Sequence, residues 1–470
     1  MSSNNQPGSA HGKPKRERYP PQVKFIIGNE ACERFSYYGM LSILTLYLKN
    51  EMSMGEAHSK EVVHIFATAV YFLPLFGGLL ADRWLGRYWT ILSISLFYCL
   101  GHGCLALFEG NLMGVYAGLA FIAIGAGGIK PCVSAFVGDQ FTKHQDGLLT
   151  KVYGWFYWSI NLGACFGFAL IPVLREKLGY RWAFGVPGIF MALATLIFWL
   201  GRKHYVRQPP SGRVGGGGLF GVFWYALTHV RERKPGQSFL DTALGRYRPE
   251  EVEGVKAVGG ILMMFATVPV FWALFNQVNT TWVLQGEKMT PFHLLGYKVD
   301  GERLQAAGAL LVMIWVPILT LGVYPLAERL GLRPTMLRRM GAGMILGAVS
   351  FFISAWIQSR MDAGQTLSVA WQLVPYIVLE AGEVMVSATA LEFAFSQSPE
   401  RMKSTMMSMY LMTIAGGHFL VATLTNLNSR FVHAEGAAEL NFYAVLMVVA
   451  AGIFMFLATR HKERRSQPAR

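Results

Sequence analysis

The chain has 470 residues, of which 53% are hydrophobic and 15% charged, with 32 Phe and 12 Trp. That is more apolar side chain than a soluble domain of this size can bury, so the sequence reads as an integral membrane protein. A net charge of +14 would suit nucleic acid, but the Lys and Arg residues sit in short clusters between apolar stretches, where membrane topology accounts for them, and a nucleic-acid partner is set aside.

Residues 1–24 are polar and basic (Lys13, Lys15, Arg16, Arg18) and run into a full-length apolar segment without a cleavage-site pattern. They read as a disordered cytoplasmic tail, not a signal peptide. Apolar stretches of about 20 residues, the length that crosses a bilayer as helix, follow at 25–48, 61–81, 89–108, 112–137, 152–174 and 182–201, then at 257–279, 303–326, 336–358, 371–395, 405–425 and 439–459. The expectation is an all-α membrane protein of twelve spans. Cys32, Cys99, Cys104, Cys132 and Cys165 all fall inside them with no CxxC pair or Cys/His spacing, so neither disulfide, metal nor cofactor is expected.

Loops rich in Lys and Arg stay in the cytoplasm. Here they follow every second span: Arg83 and Arg87, then Lys143 and Lys151, the 202–256 linker, Arg329 with Arg333, Arg338 and Arg339, Arg401 with Lys403, and the 460–470 tail with Arg460, Lys462, Arg464 and Arg465. Both termini are therefore expected in the cytoplasm, against the mild dissent of Arg175, Lys177 and Arg181 in an outer loop. The linker contains GLFGVFWYALTHV (Gly218 to Val230), too short to span and flanked by RERK, which fits a helix lying along the membrane surface. Fourteen spans would result if that piece paired with another segment.

An internal repeat divides the chain. GGLLADRWLGRYWTIL (Gly77 to Leu92) follows span 2 and YPLAERLGLRPTML (Tyr324 to Leu337) follows span 8. Each ends a helix with an acid followed by Arg, turns at Gly, and places another Arg before the next helix. Two six-span halves, 25–201 and 257–459, carrying the same turn at the same place resemble the major facilitator fold, in which two six-helix bundles flank a central cavity.

Ionisable groups at mid-span cost about 2.5–3.5 kcal/mol each on insertion scales and need a partner or a wet cavity. Span 1 holds Glu30, Glu33 and Arg34, span 2 begins with His64, span 4 holds Lys130, and span 10 holds Glu380, Glu383 and Glu392. Glu30, Glu33, Arg34, Tyr37, Tyr38 and Leu41 recur at helical spacing and share a face that must look into the cavity. Two acids and one Arg leave a negative charge that Lys130 is placed to balance. A carboxylate that loses its cation when substrate arrives takes up a proton, which is a chemical route to coupling. Glu380, on another face from Glu383, and Glu392, near the cytoplasmic end, read as structural or solvated charges; His64 reads equally as a proton site or as solvated near the outer surface. Tyr71, Tyr98, Asn161, Trp272 and Gln277 complete a list of cavity candidates.

NEACERFSYYGM (Asn29 to Met40) resembles the ExxERFxYYG signature of proton-dependent oligopeptide transporters, a family of the major facilitator superfamily. GGLLADRWLGRY, GGIKPCVSAFVGDQF, FYWSINLG, FWALFNQ and EVMVSATALEF also match, across both halves. His64, the linker and span 7 resemble animal members, and the short loop between spans 9 and 10 resembles bacterial ones. The resemblance implies proton coupling at Glu30, Glu33, Arg34, Lys130 and His64. It implies substrate binding at Arg34, Tyr38, Tyr71, Lys130, Asn161, Trp272, Gln277 and Glu383, with Lys130 toward the peptide carboxylate and Glu383 toward the amine. Departures are Asn276 where many relatives have Asp, so that an ion pair between the halves is missing or moved to Glu287; LQAAGAL (Leu304 to Leu310) where many have Asn-Pro; Leu41 for a basic residue; and Tyr410 for Trp.

The expected function is proton-coupled import of di- and tripeptides by a monomer in a bacterial inner membrane, with no bond made or broken. Alternatives are a nitrate or other small-solute carrier of the same family and a peptide-sensing receptor with a transporter fold. An intramembrane enzyme has no HExxH or paired-acid constellation behind it.

Overall fold

The structure, a computed structural model, describes residues 19–142, 145–210, 219–233, 236–397 and 403–460. The tail cations Lys13, Lys15, Arg16, Arg18, Lys462, Arg464 and Arg465, together with Lys143, Arg401 and Gly218, lie outside these residues.

Helices α1 (Val23–Leu46), α2 (Gly55–Phe72), α3 (Pro74–Leu80), α4 (Gly86–Leu107), α5 (Leu112–Gly138), α6 (Asp146–Leu178) and α7 (Tyr180–Leu200) build the first half. After a short linker helix α8 (Leu219–Thr228) come α9 (Pro249–Phe265), α10 (Val268–Phe275) and α11 (Thr281–Glu287). An antiparallel hairpin of β1 (Phe292–Leu294) and β2 (Tyr297–Val299) leads into α12 (Gly301–Pro317), α13 (Tyr324–Arg329), α14 (Met336–Asp362), α15 (Leu373–Gln397), α16 (Lys403–Leu427) and α17 (Ala437–Arg460).

Proline and capping residues set several of these boundaries. Pro74 has no N–H to donate to the preceding turn, so α2 gives way to α3 there. Asn111 and Asp300 accept from backbone N–H groups in the first turns of α5 and α12.

Among the described residues nine helical runs are long and apolar enough to cross a membrane, and a tenth is the bent pair Pro249–Phe265 with Val268–Glu287, broken by 40°. One run, Gly55–Leu107, has 53 residues. Straight, it would measure about 80 Å, far beyond a hydrocarbon core of about 30 Å. It folds back at Gly86, whose φ of 74° suits glycine, and Gly331 takes a φ of 78° at the matching turn of the second half. Followed in order, the helices run alternately between a hairpin end, carrying β1 and β2, and a linker end, carrying α8, and each predicted segment has its helix. Three predicted starts were late by six residues or more, the helices beginning at Gly55, Asp146 and Pro249. In α2 and α9 the first turns, GEAHSK and PEEVEGVK, are too polar to count as apolar stretch while remaining helical.

Most buried apolar side chains fall in two cores, one drawn from residues 23–205 and the other from 222–454. The repeated turn is tied down alike in both halves. Arg87, just past the first turn, bonds Asp139 at the foot of α5 at 2.6 Å, and Arg339 approaches Glu392 near the foot of α15 at 3.9 Å. Helix α8 has 10 residues, about 15 Å and too short to span. It buries Val222 and Ala226 and leaves Phe223, Trp224 and Leu227 exposed, an arrangement suited to the membrane surface.

Close helix contact in the first half depends on glycine. A Cβ at Gly163 would sit 2.4 Å from the Ala31 carbonyl oxygen, and one at Gly167 would sit 2.8 Å from that of Phe35, so α6 lies directly against the α1 backbone. Gly163→Ala is therefore expected to destabilise the protein by about 1–3 kcal/mol through overpacking, read as a lowered thermal transition in detergent. An unchanged transition would show that α1 and α6 separate freely.

Candidate functional site

The span 1 charges form one compact cluster. Glu30 and Arg34 are one turn apart, and the Arg34 Nε donates to Glu30 Oε1 at 2.8 Å while lying 2.7 Å from Glu33 Oε2. All three residues are buried, Glu33 completely. A single guanidinium thus faces two carboxylates. The predicted shared face exists, and its position against Gly163, whose Cβ would lie 3.0 Å from that of Arg34, fixes the cluster.

Lys130 differs from expectation. Its ammonium is buried with no hydrogen-bond partner among the described residues, and it sits 3.9 Å from the Tyr71 ring centre and 4.6 Å from that of Tyr37. It adds a compensating positive charge near the cluster without hydrogen-bonding to it, while Arg34 bonds Glu30 and lies at ion-pair distance from Glu33. The aromatic rings supply a cation–π cradle instead. The surrounding GGIKP sequence makes this position possible. Cβ atoms at Gly127 and Gly128 would lie 2.4 Å from Leu73 and Ile94, so α5 is packed tightly on α3 and α4.

On the second half, one buried carboxylate oxygen of Glu383 has no hydrogen-bond partner among the described residues, with Tyr38, Tyr157 and Tyr410 in its electrostatic surroundings. Glu380 faces elsewhere, as expected: its Oε1 lies 2.6 Å from where a Gly308 Cβ would be, against α12. It is nevertheless buried, with Oε2 unpartnered among the described residues. Below Tyr71, a pocket lined by Tyr71, Pro74, Leu75, Pro131, Ser408, Leu411 and Met412 lies between the halves.

The amide candidates are more inward-bonded than cavity residues need to be. Asn161 donates to the Tyr157 carbonyl at 3.0 Å, and Gln277 donates to that of Ala273 and accepts from Thr281, stabilising the break between α10 and α11. Trp272 is buried against Gly417, where a Cβ would meet its own at 2.5 Å, and its Nε1 has no hydrogen-bond partner among the described residues. Tyr38 packs edge-on to Tyr37 and against Phe168. Tyr98 is buried, with Glu33 and Arg34 in its electrostatic surroundings.

His64 is completely buried, so the reading that it is solvated at the outer surface is corrected. Because α2 starts at Gly55, His64 stands more than two turns inside it. Its Nδ1 lies 2.9 Å from Nδ1 of His418 on α16, and its Nε2 lies 3.0 Å from the Thr280 hydroxyl. Sequence reading missed His418, since a lone His after GG in an apolar helix gave no signal of its partner.

Cross-half bonds gather at the hairpin end. Lys49 bonds Glu287 at 2.6 Å and Asn50 bonds it at 2.9 Å, so Glu287 takes part in an ion pair between the halves. Lys60 bonds Glu439 at 2.5 Å, Asn426 bonds Glu61 at 3.0 Å, and Arg175 bonds the buried Glu302 at 2.6 Å. Arg303 pairs with Glu176 and Asp300. Arg175, the dissenter from the charge rule, lies in the last turn of α6 and pairs with an acid of the other half. Gln305, within the LQAAGAL segment, donates to the Ser42 carbonyl at 3.3 Å, so span 8 does supply an amide to the interface.

The profile of the POT family matches residues 88–439. Peptide transporter family 1 of Drosophila melanogaster is 38% identical over 364 residues, 73% of this chain and 48% of the relative. Solute carrier family 15 member 2 of Homo sapiens is 36% identical over 73% of this chain and 50% of its own length. The chain thus spans about half the length of these curated relatives. Among solved structures, an auto inhibited POT family peptide transporter superposes with a TM-score of 0.89 at 38% identity, covering 96% of this chain and 99% of that one. The POT family transporter PepTSo gives 0.88 at 36% identity, covering 94% and 99%. These relatives are multi-pass membrane transporters, and the twin bundle described above is theirs too; the chain belongs to the POT family.

Proposed function

We propose that this chain is a proton-coupled symporter importing di- and tripeptides by alternating access. The observation that carries this reading is a pair of buried charged atoms of opposite sign, the Lys130 ammonium on the first half and a Glu383 carboxylate oxygen on the second, neither with a hydrogen-bond partner among the described residues. An unpaired buried charge is costly. A zwitterionic peptide lying between the halves satisfies both, with its carboxylate at Lys130 and its amine at Glu383. Nitrate would leave Glu383 unmatched.

Coupling follows from charge. Glu30, Glu33, Arg34 and Lys130 sum to zero, so a peptide carboxylate arriving at Lys130 adds a negative charge that a proton on Glu33 or Glu30 offsets. Asn161, Tyr38, Tyr71, Trp272 and Gln277 shape the space between. The helices make twelve membrane crossings in this reading, 25–201 and 257–459 forming the two bundles of a monomer in a bacterial inner membrane, with the basic linker end and both termini in the cytoplasm. The hairpin end then faces outward, and its cross-half bonds describe a protein closed to the outside.

The test is uptake of radiolabelled dipeptide by proteoliposomes under an inward proton gradient. Glu383→Gln is expected to raise the KM for dipeptides at least tenfold, about 1.4 kcal/mol, and to affect much less a dipeptide analogue lacking its amine. Equal losses for both substrates, or no proton-driven uptake by the unmodified protein, would overturn the reading.

A further inference from the structure

The contact between His64 and His418 joins the halves through two ring nitrogens of the same kind, and that geometry restricts its protons. Two Nδ1 atoms 2.9 Å apart can hold only one hydrogen between them, one ring donating and the other accepting. If His64 donates there, its Nε2 either accepts from Thr280 or, on the charged ring, donates to it; if His418 donates, His64 carries its hydrogen on Nε2, toward Thr280. The contact therefore survives with both rings neutral or with one ring charged. It fails when both are charged, because both Nδ1 atoms then bear hydrogen.

We propose that His64 and His418 form a proton-counting latch between α2 and α16, closed while the pair carries no more than one extra proton and forced open at the hairpin end by a second. The proposal deepens the proton-coupled reading above by adding His418 as a proton-binding residue.

The surroundings favour a latch over a static hydrogen bond. Both rings are buried, and they come from opposite halves. The charged groups nearest them are cations. Lys60 stands one turn before His64 on α2, held by Glu439 of α17. Lys130 of α5 faces His418 past Tyr71, whose ring stacks on His418 at 5.7 Å. Thr280, from the break between α10 and α11, is neutral. Two imidazolium rings between two ammonium groups repel in a medium of low dielectric, and separating the halves lets water screen them. Tyr71 also connects the latch to the substrate site, because the same ring cradles Lys130.

The experiment measures the distance across the hairpin end directly. Spin labels are placed at Met113 and Phe431, exposed residues at that end of the first and second halves, in a full-length background whose native cysteines (Cys32, Cys99, Cys104, Cys132, Cys165) are replaced. Between about pH 8 and about pH 5, the range over which histidine changes charge, the parent protein is expected to gain a longer-distance population severalfold. His418→Asn keeps a hydrogen-bonding side chain that cannot charge, and is expected to give the same distances at both pH values. His418→Gln serves the same arm if the Asn variant is not recovered folded. A variant that widens with acid as the parent does, or a parent whose distances ignore pH, would overturn the latch. Because the readout needs no transport, failure of peptide uptake and failure of the latch are separate results.

Discussion

Glu33→Gln is expected to abolish concentrative uptake, lowering the peptide accumulation driven by a proton gradient at least tenfold, while leaving exchange of labelled for unlabelled peptide across the same membrane. The reason lies in the sharing of Arg34. Its guanidinium lies between Glu30 and Glu33 at 2.8 and 2.7 Å, so one positive charge answers two negative ones. Replacing Glu33 with an amide of the same shape leaves Arg34 and Glu30 as a closed pair, and the excess negative charge that invites a proton is gone. Lys130 and Glu383 are untouched, so peptide still binds and the halves still move. Glu30→Gln is expected to weaken coupling less, because Arg34 then pairs with the more deeply buried Glu33. Accumulation by the Glu33→Gln protein equal to that of the parent would remove Glu33 from the coupling role. Loss of exchange together with accumulation would make it a structural charge.

Much of this architecture was legible because the membrane makes sequence explicit. Span lengths and the doubled Gly turn each answered to a physical requirement, and Gly86 and Gly331 both take a positive φ. The span 1 cluster was legible for the same reason, since three charges within five residues have nowhere to go but inward. What could not be read were pairings between residues far apart in the chain. Nothing in GGHFL announced that His418 would meet His64 across 354 positions, and nothing in span 4 indicated that Lys130 would rest on aromatic rings while Arg34 took both acids. Hydropathy also located helices by their apolar stretches, which hid the polar first turns of α2 and α9 and so misplaced His64 near the surface. The Arg175 anomaly in the charge rule had the same origin: its answering acid lies on the other half.

That acid gives the second large effect. Arg175→Gln is expected to shift the protein toward a state open at the hairpin end by about a hundredfold. Glu302 is 2% exposed at its side chain and Arg175 is its hydrogen-bonded cation, at 2.6 Å. Arg303, the next residue, is already engaged by Glu176 and Asp300. Removing one member of a buried pair costs about 3 kcal/mol or more because a charge is left without compensation, and here the cost falls only on the closed state, since opening hydrates Glu302. Three kcal/mol corresponds to about two powers of ten in population. Leu46, which with Val283 and Leu284 forms a small apolar cluster across the halves at this end, provides the reporter: a thiol introduced by Leu46→Cys is expected to react with a membrane-impermeant reagent far faster in the Arg175→Gln background. Glu302→Gln alone is expected to have a smaller effect, because Arg175 is 27% exposed at its side chain and finds water without opening the bundle. The double variant, with no charge left to strand, is expected to close again and react nearly as slowly as the parent, a coupling that a double-mutant cycle isolates. If Arg175→Gln reacts no faster than the parent, the pair does not hold this end shut.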